Sequence, residues 1–203
     1  MFSLYSKHEI VKTDMDLPVR FFYSREEKRS QIIPHFHDDI EIIYVISGRL
    51  SITRNTVETT LYAGDIVVFN PNIIHSTLSG NTLTTAYILQ ISYDFLKSCQ
   101  KDHDNNAIFF DIPLASKETT SPEQEQALSA LKRHLDNLQP LYLHPEDYSI
   151  LKLYSTIYEI THLLFRHFLS NQAFKVSSSQ YKYFERLSLI TTYQLRGSGN
   201  IRR

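Results

Sequence analysis

With 203 residues, 42% of them hydrophobic, the chain can bury one generous core, or one core and a small helical annex. Its 21 basic and 22 acidic residues leave a net charge of −1, which lacks the basic excess of a self-sufficient nucleic-acid-binding domain. Met1 to Lys12 holds no apolar core long enough for a signal peptide, charges interrupt every later run, and the single cysteine, Cys99, rules out an internal disulfide. The expectation is a cytoplasmic protein without a membrane partner.

Residues 1–31 read as an amino-terminal arm. From about Ile32 the pattern is strand-like: Ile40 to Ile46, Leu50 to Arg54, Thr59 to Tyr62, Ile66 to Phe69 and Leu83 to Ile91 are short β-branched and aromatic runs. Three of the five glycines, Gly48, Gly64 and Gly80, fall at the joints between them. Successive short strands without intervening helices predict an antiparallel sandwich or barrel over residues 32–115, with Ile108 to Ile112 as a last strand.

Ser121-Pro122-Glu123 then starts a helix, with proline at the first helical position. Leu128, Leu131, Leu135 and Leu138 follow at steps of 3, 4 and 3, one apolar seam that Pro140 is expected to end. A second helix begins at Pro145-Glu146-Asp147 and carries Ile150, Leu153, Tyr154, Ile157 and Leu164 on to Phe168. Residues 121–170 thus read as an antiparallel helix pair, and the fold class as α+β. The second helix is so apolar that an exposed stripe is expected to form a homodimer through Leu128, Leu131, Leu135, Ile150, Leu153, Tyr154, Ile157 and Leu164. Residues 180–203 are a linker and a short amphipathic start that runs out after Tyr193 into a flexible tail.

Chemistry concentrates in His35-Phe36-His37-Asp38-Asp39-Ile40-Glu41. On a strand His35, His37 and Glu41 share parity and therefore a wall, and a barrel can bring His75 opposite them. Three imidazoles and a carboxylate suit a divalent transition metal. The same groups can instead bind a sugar or other polar metabolite through hydrogen bonds, with no cofactor. Ligand-binding and metal roles thus fall on the same four residues.

His35-x-His37-x-x-x-Glu41, followed by six residues and Gly48, resembles the first motif of the cupin superfamily, with Arg29 in place of its leading glycine. Gly64-Asp65, Asn70-Pro71-Asn72 and His75 resemble the second, with Asn70, Asn72 and Ser79 where proline, glycine and asparagine are usual. The wording from Pro34 to Ser76 is similar, more narrowly, to the amino-terminal sensor domain of AraC-family transcription regulators. That resemblance implies a small jelly-roll-like cupin barrel binding an effector, two dimerising helices, and an arm that folds over the pocket through Phe2, Leu4, Phe21, Phe22 and Tyr23. Phe184 to Tyr193 looks like the first helix of that family's DNA-binding domain. The ten residues after Tyr193 cannot hold a helix-turn-helix pair, so no DNA binding is expected of this chain, which reads as a truncated regulator, an engineered sensor fragment or a form altered near Gln194. The expected function is effector sensing and dimerisation, not catalysis; a metal-dependent cupin oxygenase or isomerase is the alternative.

Overall fold

The computed structural model describes residues 6–13, 17–100, 107–114 and 120–170. Nine strands form two sheets: β1 (Lys7–His8), β2 (Val19–Glu26), β3 (Gln31–Phe36), β4 (Ile40–Ser47), β5 (Arg49–Arg54), β6 (Val57–Tyr62), β7 (Ile66–Phe69), β8 (His75–Ser79) and β9 (Thr84–Ile91). One sheet has the order β1-β3-β8-β5-β6 and the other β2-β9-β4-β7. The expected barrel is therefore not closed. The chain crosses from one sheet to the other at its turns, and among the described residues no ladder joins their edges.

The four-stranded sheet is covered on both faces, which explains the nearly unbroken apolar run of β4. Ile40 and Ile42 point toward the helices, while Ile43 and Val45 point toward the other sheet. In β9, Leu89 and Ile91 face the helices and Ala86 and Ile88 the inter-sheet space. The five-stranded sheet contributes Leu50, Ile52 and Leu61 to that inner layer.

Two crossing turns depend on glycine. Gly48, between β4 and β5, has φ +78°, and a Cβ there would collide with the Leu83 carbonyl. Gly64 has φ +94° and donates to the Val45 carbonyl at 2.8 Å, while Asp65 accepts from Tyr62 N at 2.8 Å and closes the turn. The sequence places both correctly.

Three helices follow: α1 (Tyr93–Cys99), α2 (Pro122–Leu143) and α3 (Ser149–Leu163), the last continued by a π-helical turn, Leu164–Phe168. Ser121 caps α2 in a reciprocal box, accepting from Gln124 N at 3.2 Å while the Gln124 side chain accepts from Ser121 N at 3.1 Å. Pro140 does not end α2; it lies one turn from the carboxyl end, and the helix runs on to Leu143, closed by His144 N donating to the Pro140 carbonyl at 2.9 Å. No helix among the described residues is long and apolar enough to cross a membrane.

Three other expectations change. Val19–Glu26, inside the supposed arm, is a strand of the four-stranded sheet, paired with β9 along its length, with Val19 and Phe21 buried under the helices. Ile108 to Ile112 forms no strand, only the isolated bridge Phe110 to Leu169. The seam residues Leu128, Leu131, Leu135, Leu153, Ile157 and Leu164 are buried in the chain's own core against the sheet. They are closed to a partner; periodicity identified an apolar face without identifying its cover. Of the expected dimer residues, Ile150 alone is exposed, at 40%, and Tyr154 is partly buried. Residues 180–203, with Phe2 and Leu4, lie outside the described residues.

Candidate metal and ligand site

Strand register assembles the site. His35 is the penultimate residue of β3 and His75 begins β8, and the two are direct partners in the antiparallel ladder. His37 follows β3 in the turn to β4. Glu41, the second residue of β4, pairs with Phe69 of β7 and Gln90 of β9. The ligating atoms of His35, His37, Glu41 and His75 all lie within 4.8 Å of one another, and all four residues are buried. The expected clustering of these four is what the structure contains.

Each imidazole is oriented by a main-chain carbonyl two residues away. His35 Nδ1–H donates to Ile33 O at 3.0 Å, His37 Nδ1–H to Asp39 O at 2.9 Å, and His75 Nδ1–H to Ile73 O at 2.8 Å. A carbonyl only accepts, so each Nδ1 carries a hydrogen, and in the neutral ring Nε2 offers its lone pair to the centre. Phe69 stacks on His75 at 4.1 Å between centroids and fixes its plane. The Nε2 atoms of His37 and His75 are buried without a hydrogen-bond partner, although Glu41 carboxylate oxygens lie 3.4 and 3.6 Å away. Orphaned buried nitrogens beside a carboxylate are what a transition metal would satisfy, and the three-nitrogen, one-oxygen donor set fits one.

Burial pushes Glu41 up, but the close approach of the His37 and His75 imidazoles outweighs it and holds the carboxyl far below its ordinary range. Burial pushes His37 down, but Glu41 and the Asp39 carbonyl outweigh it and leave its pKa raised. His35 is lowered, first by burial and then by the neighbouring His75.

Gln90 was not anticipated. It is 2% exposed and its Nε2 donates to Glu41 Oε2 at 2.8 Å, which fixes one carboxylate oxygen and leaves Oε1 toward His75. Its signal in the sequence is a polar residue at inward parity in an apolar strand. Glu9, just past β1, places Oε2 3.4 Å from His35 Nε2 and Oε1 3.4 Å from Arg20 Nη1. Asp39 accepts from Tyr93 N at 3.0 Å and anchors the start of α1. His167 Nδ1 lies 3.6 Å from Glu123 Oε1.

A cavity of about 530 Å³ opens beside the cluster, between the sheets. Glu41, His35 and Gln90 form its polar end, Ile43, Leu50 and Ile88 part of its apolar wall, and Phe22 and Tyr23 of β2 lie along it. The second motif's departures have structural reasons. Asn72 adopts φ +63°, a conformation that asparagine tolerates where glycine is usual. Asn70 brackets the main chain of Phe110, donating to its carbonyl and accepting from its N–H, both at 2.8 Å.

Residues 22–88 match the family model described as Cupin domain. No curated protein matches the chain. Solved structures with partial likeness include a cupin superfamily protein from Desulfitobacterium hafniense, at 12% identity and TM-score 0.36 over 41% of this chain and 72% of that one. A variant of oxalate decarboxylase from Bacillus subtilis aligns at 16% identity and TM-score 0.36, over 38% of this chain and 22% of that one. The cupin domain of an XRE-family transcriptional regulator from Enterobacter cloacae aligns at 25% identity and TM-score 0.34, over 38% and 85%. TM-scores of this size say nothing of activity. The match to the Cupin domain model spans residues 22–88, the stretch that carries His35, His37, Glu41 and His75.

Proposed function

We propose that this chain is the effector-sensing and dimerisation module of an AraC-type transcription regulator, and that it binds a small polar metabolite in the cavity between its sheets. The observation that carries this reading is the cavity itself: about 530 Å³, a size that suits a small-molecule ligand, with convergent polar groups at one end and an apolar wall. Glu41 accepts from a ligand hydroxyl through Oε1, Gln90 keeps the carboxylate oriented, and Ile43, Leu50 and Ile88 exclude water. A ligand shifts a regulator only through different affinities for two arrangements. The helices are well placed to report such a difference, because α2 and α3 pack on the far face of the strands that carry Glu41 and Gln90.

Dimerisation falls on the exposed stripe of α3, where Leu151 is 68% and Tyr158 54% exposed, with Tyr148 at its start. The test is a metabolite screen by thermal shift on the whole chain, repeated with Ile88→Trp, which fills the cavity. A stabilising metabolite that loses its effect in that variant supports the reading; an equal effect in both variants rejects it.

The cluster supports a second reading, a metal-dependent cupin enzyme. His35, His37 and His75 would hold a divalent transition metal through Nε2, with Glu41 as the fourth ligand. Such a metal supplies Lewis-acid polarisation of a bound oxygen. Stoichiometric metal, lost in His37→Ala, together with conversion of the screened metabolite, would favour this reading over the sensor.

A further inference from the structure

A second concavity, of about 300 Å³, lies on the outer face of the five-stranded sheet. Register explains its composition. Arg49 is opposite Tyr62, and Ser51 is opposite both Thr60 and Leu78, so these side chains share the face opposite to the buried Leu50, Ile52 and Leu61. Arg29 and Asn81 complete the rim, and no lining residue is acidic.

Both arginines are brought there by built features. Arg49 follows the constrained Gly48 turn, its carbonyl accepts from Thr84 Oγ1 at 3.1 Å, and its Nε passes 3.4 Å from where a side chain on Gly80 would begin. Arg29 sits in a loop stitched to β8: Ser30 N donates to Ser79 Oγ at 2.9 Å, Ser79 N to the Ser30 carbonyl at 2.9 Å, and Ser79 Oγ to the Lys28 carbonyl at 3.2 Å. Arg20 and Arg25 each face a glutamate, but neither Arg29 nor Arg49 forms an ion pair among the described residues. Glu58, on the same face, stands opposite Thr53 and does not line the groove.

We propose that this groove binds a small phosphomonoester. Two guanidinium forks without carboxylates favour a dianionic oxyanion, and the Ser51, Thr60 and Tyr62 hydroxyls supply further donors to an acceptor-only group. The organic part lies on Leu78 and the half-exposed ring of Tyr62. This site lies apart from the cavity between the sheets, with Ser79 the one lining residue that the two share.

The test is isothermal titration of the full chain, at constant ionic strength, with inorganic phosphate and with phenyl phosphate. The expected result is one saturable site, severalfold tighter for phenyl phosphate, weakened about tenfold by Arg29→Gln and by Arg49→Gln and unchanged by Arg133→Gln on the exposed side of α2. Urea midpoints equal to wild type show that the variants fold. No saturable binding, equal binding in the two groove variants and wild type, or no gain for phenyl phosphate would overturn the proposal.

Discussion

Replacing Gln90 with leucine tests how Glu41 is held. The change keeps side-chain volume close while deleting the 2.8 Å bond from Gln90 Nε2 to Glu41 Oε2, in a place where both residues are buried. A hydrogen bond to a charged group contributes about 1.5–3 kcal/mol. In chelator-treated protein the variant should lose about 2–3 kcal/mol at neutral pH, a Tm drop of roughly 4–12 °C for a chain of this size. The pH dependence sharpens the test. The folded pKa of Glu41 lies below its ordinary 4.5, so its contribution is complete above that value and is lost as pH falls through the folded pKa. Below it the carboxyl is neutral in both proteins, and the difference between them should shrink to about 1 kcal/mol, the size of a neutral hydrogen bond. Urea melts at several pH values give both numbers. A variant within about 0.5 kcal/mol of wild type at neutral pH, or a difference already lost at about pH 5, above the ordinary pKa of Glu41, would refute the reasoning.

Other expectations follow from the same packing. The raised pKa of His37 gives stability that is complete below its ordinary 6.5 and lost as pH rises through the folded value, so His37→Gln should flatten the alkaline side of the metal-free stability profile in urea melts. Leu131→Ala and Leu135→Ala should each cost about 2–5 kcal/mol in denaturant midpoints, since both are buried in the chain's own core. Leu151→Glu with Tyr158→Glu, on the exposed stripe, should change stability by less than about 1 kcal/mol but yield monomers by sedimentation; an unchanged mass would remove that stripe from the dimer proposal. Asn70→Leu should cost about 2–4 kcal/mol, because it strands both main-chain groups of Phe110, and hydrogen exchange at Phe110 should rise with it.

What the sequence made legible was local. His35, His37 and Glu41 stand close in one motif, and Gly48 and Gly64 occupy turns that need positive φ. What it hid was set by partners far along the chain. Gln90 is 49 residues from Glu41 and joins it through strand pairing alone. Val19–Glu26 resembled an arm because its cavity side carries Arg20, Ser24 and Glu26, yet Val19 and Phe21 alternate with them into the core. The seven-residue α1 is too short to show a helical period, and only its Ser92 cap betrays it. The leucine seam of α2 revealed a buried face but could not say that a sheet, instead of a second copy, buries it.

The most direct test of the central claim is native mass spectrometry of the full chain after incubation with a metabolite extract, wild type beside Ile88→Trp. Retention of one small polar molecule, unaltered, by wild type and not by the cavity-filled variant is the predicted result. The same adduct on both proteins would place the ligand elsewhere, and a chemically changed molecule would make the domain an enzyme in place of a sensor.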